Sequence, residues 1–300
     1  MNTMKISVVV PTYNRLTLLK DQVNALLSQS LASEQYEIIV VNDGSTDETW
    51  RYLDQVADFY PQLRVVHQLN GGPAKARNAA LRQARGEIIA FTDDDCVADR
   101  DWLESILSSW EDDILGLQGA TYTDREHVTP LTHQIDNETG HDSIPTCNAA
   151  YSRQILLDIR GFDESFPSPH NEDADVSWRV QQLGKVRFCP QMRVYHPPRK
   201  DAFRKVACRM KILESEFTLF RKNPGLYQEH RDRSALAHIY GRVFFLNIGY
   251  HFLSRIKLWR RPKLMIQGIL LTLCWWIDLL GKFPRFAQLA RVSTPAPTLR

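Results

Sequence analysis

Residues 86–95 read Gly86-Glu87-Ile88-Ile89-Ala90-Phe91-Thr92-Asp93-Asp94-Asp95, an apolar run that stops in three consecutive carboxylates. A short β-branched and aromatic run of this length predicts a buried strand over Glu87–Thr92. The aspartates then stand where such a strand ends. Working outward towards the N-terminus, the same alternation recurs. Ile6–Val10 and Glu37–Val41 predict two more buried strands, and Leu63–His67 a further strand. Thr17–Ser30, Thr46–Tyr60 and Ala74–Ala84 carry apolar residues at helical spacing between them. Four strands alternating with three helices in about 90 residues predict an open α/β sheet, mostly parallel, with helices on both faces.

Ligands bind such sheets beyond the carboxyl ends of the strands. Three polar groups occupy those ends: Pro11–Arg15, Asn42–Asp47 and Asp93–Asp95. They should converge on one cleft. Adjacent carboxylates repel one another unless a cation compensates them. Hard divalent ions such as Mg2+ or Mn2+ favour carboxylate and phosphate oxygens, so an Asp-x-Asp at a strand end suits a metal bridging to a diphosphate. Asp43, at a second strand end, could accept hydrogen bonds from a nucleobase or a ribose, although Asn42-Asp43-Gly44 is also ordinary turn chemistry. Gly71-Gly72-Pro73 opens a helix bearing Lys75, Arg77 and Asn78, cations that could reach diphosphate oxygens beside free N–H groups. Glu172-Asp173-Ala174-Asp175 begins another helix, where carboxylates serve either as caps or as a general base. There is no Gly-x-Gly-x-x-Gly after the first strand and no Gly-x-x-x-x-Gly-Lys-Ser/Thr. A nicotinamide Rossmann domain and a P-loop NTPase are therefore disfavoured.

In this order, Val8–Arg15, Val41–Asp47, Ala76–Leu81, Gly86–Asp95, Gly161-Phe162-Asp163-Glu164 and Glu172–Asp175 resemble the family 2 glycosyltransferases, over residues 5 to about 198. The resemblance implies the GT-A fold, a Rossmann-like α/β sheet, and an inverting hexosyltransferase-type enzyme. It implies a nucleotide-diphospho-sugar donor, UDP-linked by default, and Mg2+ or Mn2+. Carried over by position, Pro11, Thr12, Tyr13, Arg15, Asp43, Arg77 and Asp93 line the nucleotide pocket. Asp95, Asp93 and His196 hold the metal. Asn148 and Glu172 face the sugar and acceptor, and Asp173 is the catalytic base. Cys96 departs from the family pattern, where many relatives carry a further aspartate. Two competing readings are a metal-dependent nucleotidyltransferase, which leaves the 161–175 motifs without a purpose, and a nucleotide-sugar-binding module without turnover, which the intact aspartates oppose.

Charge divides the chain near residue 200. Residues 1–200 carry 19 Lys and Arg against 29 Asp and Glu, a net −10; residues 201–300 carry 18 against 6, a net +12. Residues 1–200 are expected to form the catalytic domain and 201–300 a basic helical C-terminal region. In that region Met265–Leu280 is apolar but short for a span of about 20 residues, with cations on both sides and Trp259, Trp275 and Trp276 nearby. This predicts amphipathic helices on the cytoplasmic leaflet, a membrane-peripheral enzyme and a lipid-linked or saccharide acceptor. The long aliphatic runs between the cations suit lipid and argue against nucleic acid. The five scattered cysteines contain no Cys-x-x-Cys pair, which fits reduced thiols in the cytoplasm. The residues before Pro11 are too short an apolar run for a secretion signal.

Overall fold

The computed structural model describes residues 4–231 and 234–293. The chain forms two compact units. The first comprises the chain up to Asp124, Ile135–Ser165 and Glu172–Pro197; the second comprises Arg125–Gln134, Phe166–Asn171 and the chain from Pro198 onward.

The first unit contains β1 (Ile6–Thr12), α1 (Leu16–Leu27), β2 (Tyr36–Asn42), α2 (Thr49–Phe59), β3 (Leu63–His67), α3 (Pro73–Gln83), β4 (Ile88–Phe91), β5 (Val97–Ala98), α4 (Trp102–Ser109) and β6 (Ile114–Tyr122). After β7 (Thr132–His133), which belongs to the second unit, it continues with β8 (Ala149–Ser152), α5 (Arg153–Asp158), α6 (Glu172–Gln181) and β9 (Lys185–Tyr195). The eight strands of the first unit lie in the order β3-β2-β1-β4-β8-β6-β9-β5. The first four are parallel, with Val10 opposite Val40 and Val9 opposite Phe91.

Because side chains alternate along a strand, one β-branched run feeds two cores. Val8 and Val10, Ile38 and Val40, Ile88 and Ala90 pack with Leu19, Val23 and Leu26 of α1 and Trp102 and Ile106 of α4. Val9, Ile39, Val41, Ile89 and Phe91 pack with Ala76 and Ala80 of α3 and Val176 and Val180 of α6. Each fully buried Val or Ile side chain contributes roughly 1.5–3 kcal/mol through loss of apolar contact with water.

The sheet is more mixed than its first 90 residues suggest. Strand β8 runs antiparallel to both β4 and β6, while β9 runs parallel to β6. Strand β9 is continuous from Lys185 to Tyr195, with a register shift where Gly119 pairs Cys189 and Ala120 pairs Arg193. Pro190 sits inside that bulge, where its missing N–H costs no ladder bond. All five cysteines are free thiols.

In the second unit β10 (Arg199–Lys200) pairs antiparallel with β7. Helices follow: α7 (Phe203–Ala207), α8 (Glu214–Lys222), α9 (Pro224–His230), α10 (Ala235–Ala237), a π-helical stretch His238–Asn247, α11 (Ile248–Ile256) and the 32-residue α12 (Pro262–Ser293). Phe217 of α8 meets Phe286 of α12 at 5.3 Å between ring centroids. Trp275 Nε1 donates to the Val206 carbonyl at 2.9 Å.

Candidate active site

The polar ends of the parallel strands are tied together. The Asp43 N–H donates to the Thr12 carbonyl at 2.9 Å. Asn14, with φ of 52°, takes the left-handed conformation that its short polar side chain tolerates. Its Oδ1 accepts from the Thr46 N–H at 2.7 Å and its own N–H donates to Ser45 Oγ at 2.9 Å. The first two expected loops are therefore laced to each other. Tyr13, between them, is 46% exposed and open to a ligand.

The aspartate triplet follows β4 in a turn. Thr12 Oγ1 donates to Asp94 at 2.8 Å, and Arg15 Nη1 donates to Asp94 at 2.8 Å and to Asp95 at 3.1 Å. Burial pushes Asp94 up to about 6, against the pull of Arg15 and with a further push from Asp95. Asp93 turns the other way and accepts from Arg77 Nη2 at 2.9 Å. Compensation of the three charges therefore begins within the protein, with two guanidinium groups.

Asp95 also faces His196, with 3.8 Å between its Oδ1 and Nε2. His196 is buried, and its Nδ1 lies 3.2 Å from the Pro197 carbonyl. A carbonyl only accepts, so Nδ1 carries the hydrogen and, in the neutral ring, Nε2 presents a lone pair towards Asp95. One ligand atom each from Asp95, Cys96 and His196 lies within 4.8 Å of the others. Carboxylate and imidazole fit Mn2+ well, and Mg2+ through the carboxylate. The Cys96 thiol is held protonated by its hydrogen bond with Cys147 and by burial.

On the other side Arg77, buried on α3, donates through Nη1 to Glu172 Oε1 at 3.1 Å and stacks over Phe162 at 5.5 Å. Burial pushes Glu172 up to about 7; the neighbouring Asp173 charge adds to this and Arg77 opposes it. Asn78, one residue on, clamps the Gly161–Glu164 motif: its Nδ2 donates to the Phe162 carbonyl at 2.8 Å and to Glu164 at 2.9 Å, and its Oδ1 accepts from the Phe162 N–H at 2.8 Å. Asp173 is partly exposed at the start of α6, with one oxygen accepting from the Ala174 N–H at 2.8 Å. Its charge, after burial itself, pushes the buried Tyr151 phenol upward. Tyr151, which the sequence did not single out, has a buried hydroxyl with no hydrogen-bond partner among the described residues.

Two of the residues expected at the ligand also bond within the fold. Both Asp43 oxygens are engaged, accepting from Gln68 Nε2 at 2.7 Å and from the N–H groups of Gly71 at 2.9 Å and Gly72 at 2.8 Å. Asp43 thus shapes the loop that enters α3. Asn148 is buried, with Nδ2 donating to the Ala120 and Met192 carbonyls at 2.9 Å each and Oδ1 accepting from Trp102 Nε1 at 2.9 Å. In this structure it is a strut of the sheet with no atom open to a sugar. Pro11, Thr12, Arg15, Arg77, Asp93, Asp95, Glu172, Asp173 and His196 lie around the strand ends as the motif order implies.

The model of glycosyl transferase family 2 matches residues 7–172, more than half of the chain, and the chain belongs to that family. A putative glycosyltransferase, EpsH of Bacillus subtilis, is 34% identical over 77% of this chain and 71% of its own length. Among solved structures, the mannosyltransferase PcManGT of Pyrobaculum calidifontis in complex with GDP-Man and Mn2+ superposes with a TM-score of 0.62 at 19% identity, covering 93% of this chain and 88% of that one. Staphylococcus aureus TarS 1-349 in complex with UDP-GlcNAc gives a TM-score of 0.58 at 18% identity, covering 94% and 92%. The fold is GT-A and the chain is a glycosyltransferase.

Proposed function

We propose that this enzyme transfers a sugar from a nucleotide-diphospho-sugar to a hydroxyl of a lipid-linked acceptor, with inversion at the anomeric carbon, during assembly of a surface polysaccharide at the cytoplasmic face of the membrane. One observation carries the catalytic reading. The strand-end carboxylates Asp93 and Asp95, the imidazole of His196 and the Arg77–Glu172 pair surround one set of strand ends, with Asp173 partly open beside them. Structural neighbours carry GDP-Man or UDP-GlcNAc. The donor here is taken as UDP-linked by default.

Asp95 and His196 would hold the metal, with Asp93 beside them on the ribose or the metal. When bound, a divalent cation supplies positive charge for the departing diphosphate. Arg15 and Arg77 add fixed positive charge on either side of it. Tyr13, with its ring exposed, is placed to stack on the base. Asp173 accepts the proton of the acceptor hydroxyl as the new O–C bond forms and the bond from the anomeric carbon to the diphosphate oxygen breaks. Glu172, bonded to Arg77, keeps that guanidinium in place and borders the acceptor side.

The test is binding and turnover across UDP-, dTDP- and GDP-sugars, with Mn2+ or with chelator, for wild type and Asp95→Ala. Metal-dependent binding of one donor that Asp95→Ala abolishes is the expected result. Binding indifferent to both would remove the metal from the scheme. No binding to any donor would overturn the transferase reading of the site.

A further inference from the structure

Helix α12 is apolar on the face turned away from its own neighbours. Gly268, Leu271, Thr272, Trp275, Leu279 and Phe286 are buried against the rest of the second unit. The opposite stripe, where a water-facing helix would carry charge, is Ile266 (53% exposed), Leu270 (48%), Leu273 (40%), Ile277 (69%) and Leu280 (59%). The preceding helical stretch repeats the pattern with Phe245, Leu246, Tyr250, Leu253 and Trp259, each 63–70% exposed. Contiguous apolar surface of this kind marks an interaction site.

The charge around these stripes identifies what covers them. Residues 242–285 hold eight Lys and Arg and a single acidic residue, Asp278, which is itself paired with Lys282. The exposed cations border the stripes: Arg242 before the first, Lys257 near its end beside Trp259, Arg260, Arg261 and Lys263 between the two, and Arg285 after the second. Apolar stripes bounded by cations complement hydrocarbon bordered by phosphate.

The same positions decide the orientation. By length and composition α12 could cross a membrane. Its apolar stripe from Ile266 to Leu280 is, however, only about 21 Å long at ~1.5 Å per residue, against a hydrocarbon core of about 30 Å. Its inner face is also held along its length: Trp275 Nε1 to the Val206 carbonyl at 2.9 Å, Trp276 Nε1 to the Phe244 carbonyl at 3.0 Å and the Tyr240 hydroxyl to the Leu279 carbonyl at 2.7 Å. A spanning or re-entrant hairpin would break the Trp275–Val206 bond, the one of the three that reaches outside the paired helices, and carry the Arg260–Lys263 corner into or through the bilayer.

We propose that the paired helices 242–285 lie flat on an anionic phospholipid surface, with the Ile266–Leu280 and Phe245–Trp259 stripes immersed at headgroup depth and the cations between and beyond them on lipid phosphates. This deepens the membrane-surface location given above and stands on observations independent of the catalytic site.

The test is flotation of the full-length protein with vesicles of phosphatidylcholine alone or with 30% phosphatidylglycerol. The expected result is binding to the anionic vesicles at least about tenfold stronger than to neutral ones, weakened by 0.5 M salt. Leu273→Glu/Ile277→Glu should lose binding to both vesicle types by about tenfold or more. Arg260→Glu/Arg261→Glu should lose only the anionic preference. Donor binding, read separately, should be unchanged in both variants, which shows that they fold and separates this outcome from failure of the catalytic reading. In a Cys208→Ser/Cys274→Ser background, which removes the native thiols that are not buried, a thiol placed by Arg261→Cys should react with a membrane-impermeant maleimide added outside bound vesicles; protection there would overturn the flat orientation. No vesicle binding, with a concentration-dependent dimer that Leu273→Glu/Ile277→Glu dissolves, would overturn the lipid surface in favour of a second copy of the chain.

Discussion

The sheet unit and the helical unit treat the same kinds of residue in opposite ways. In the first, Val8, Val9 and Val10 are all 0% exposed, and the acidic residues Asp94, Asp95 and Glu172 are buried as well. In the second, five successive apolar positions along one face of α12 are 40–69% exposed, and Arg242, Arg260, Arg261 and Lys263 are exposed as well. The sheet unit accepts the cost of desolvated carboxylates at the strand ends because Arg15 and Arg77 are there to meet them. The helical unit accepts apolar surface in water. Each unit departs from ordinary burial rules where a ligand or a surface is expected to complete it.

The largest effect that would sharpen this contrast is kinetic. Asp173→Asn should lower turnover by about 10³-fold, within the range for a lost general base, while donor affinity measured by calorimetry changes little. A mutant that kept turnover would reduce the carboxylate at the start of α6 to a cap.

Core truncation should distinguish the units next. Ile39→Ala removes a side chain with no exposure and should cost about 3 kcal/mol in urea unfolding. Ile277→Ala removes one that is 69% exposed and should cost less than about 1 kcal/mol. Equal costs would mean that the α12 stripe is packed in solution and would break the comparison.

The pH dependence of stability tests the buried charges. Glu172 sits at about 7 when folded against an ordinary 4.5, so the folded state binds its proton more tightly. Its stabilising contribution is complete below pH 4.5 and is lost as pH rises through 7. Glu172→Gln has no such titration. Its stability relative to wild type should therefore rise by on the order of 2–3 kcal/mol between pH 4.5 and pH 8. A constant difference across that range would show that Arg77 keeps Glu172 ionised throughout.

The smallest effect is a control. Lys5 and Glu87 form a surface pair at 3.4 Å with side chains 41% and 59% exposed. Lys5→Ala should change stability by less than about 0.5 kcal/mol and become indistinguishable from wild type at high salt.

Much of the first unit is legible along the chain. Four strands and three helices emerge from periodicity alone because a strand buried on both faces must be continuously apolar, and a helix packed on one face must repeat every three to four residues. The strand-end loops follow from the same reasoning, so the grouping of Thr12, Asp43 and Asp93–Asp95 is legible as well. The roles inside that group are less so. Asp43 and Asn148 carry the side chains a ligand would want, yet their hydrogen bonds go to Gly71, Gly72, Ala120 and Met192. Those partners lie 28 to 44 residues away, and nothing in local spacing records them.

The sequence by itself determined the α/β alternation, the strand-end carboxylates, the glycosyltransferase family and the basic, helical character of the C-terminal region, because each is written in nearest neighbours or short periods. Only the tertiary structure decided which strands turn antiparallel, which guanidinium meets which aspartate, that the His196 ring presents Nε2 to Asp95, and which face of α12 is left uncovered. Those depend on residues brought together across the chain, where burial and hydrogen-bond geometry choose among arrangements that the local sequence permits equally.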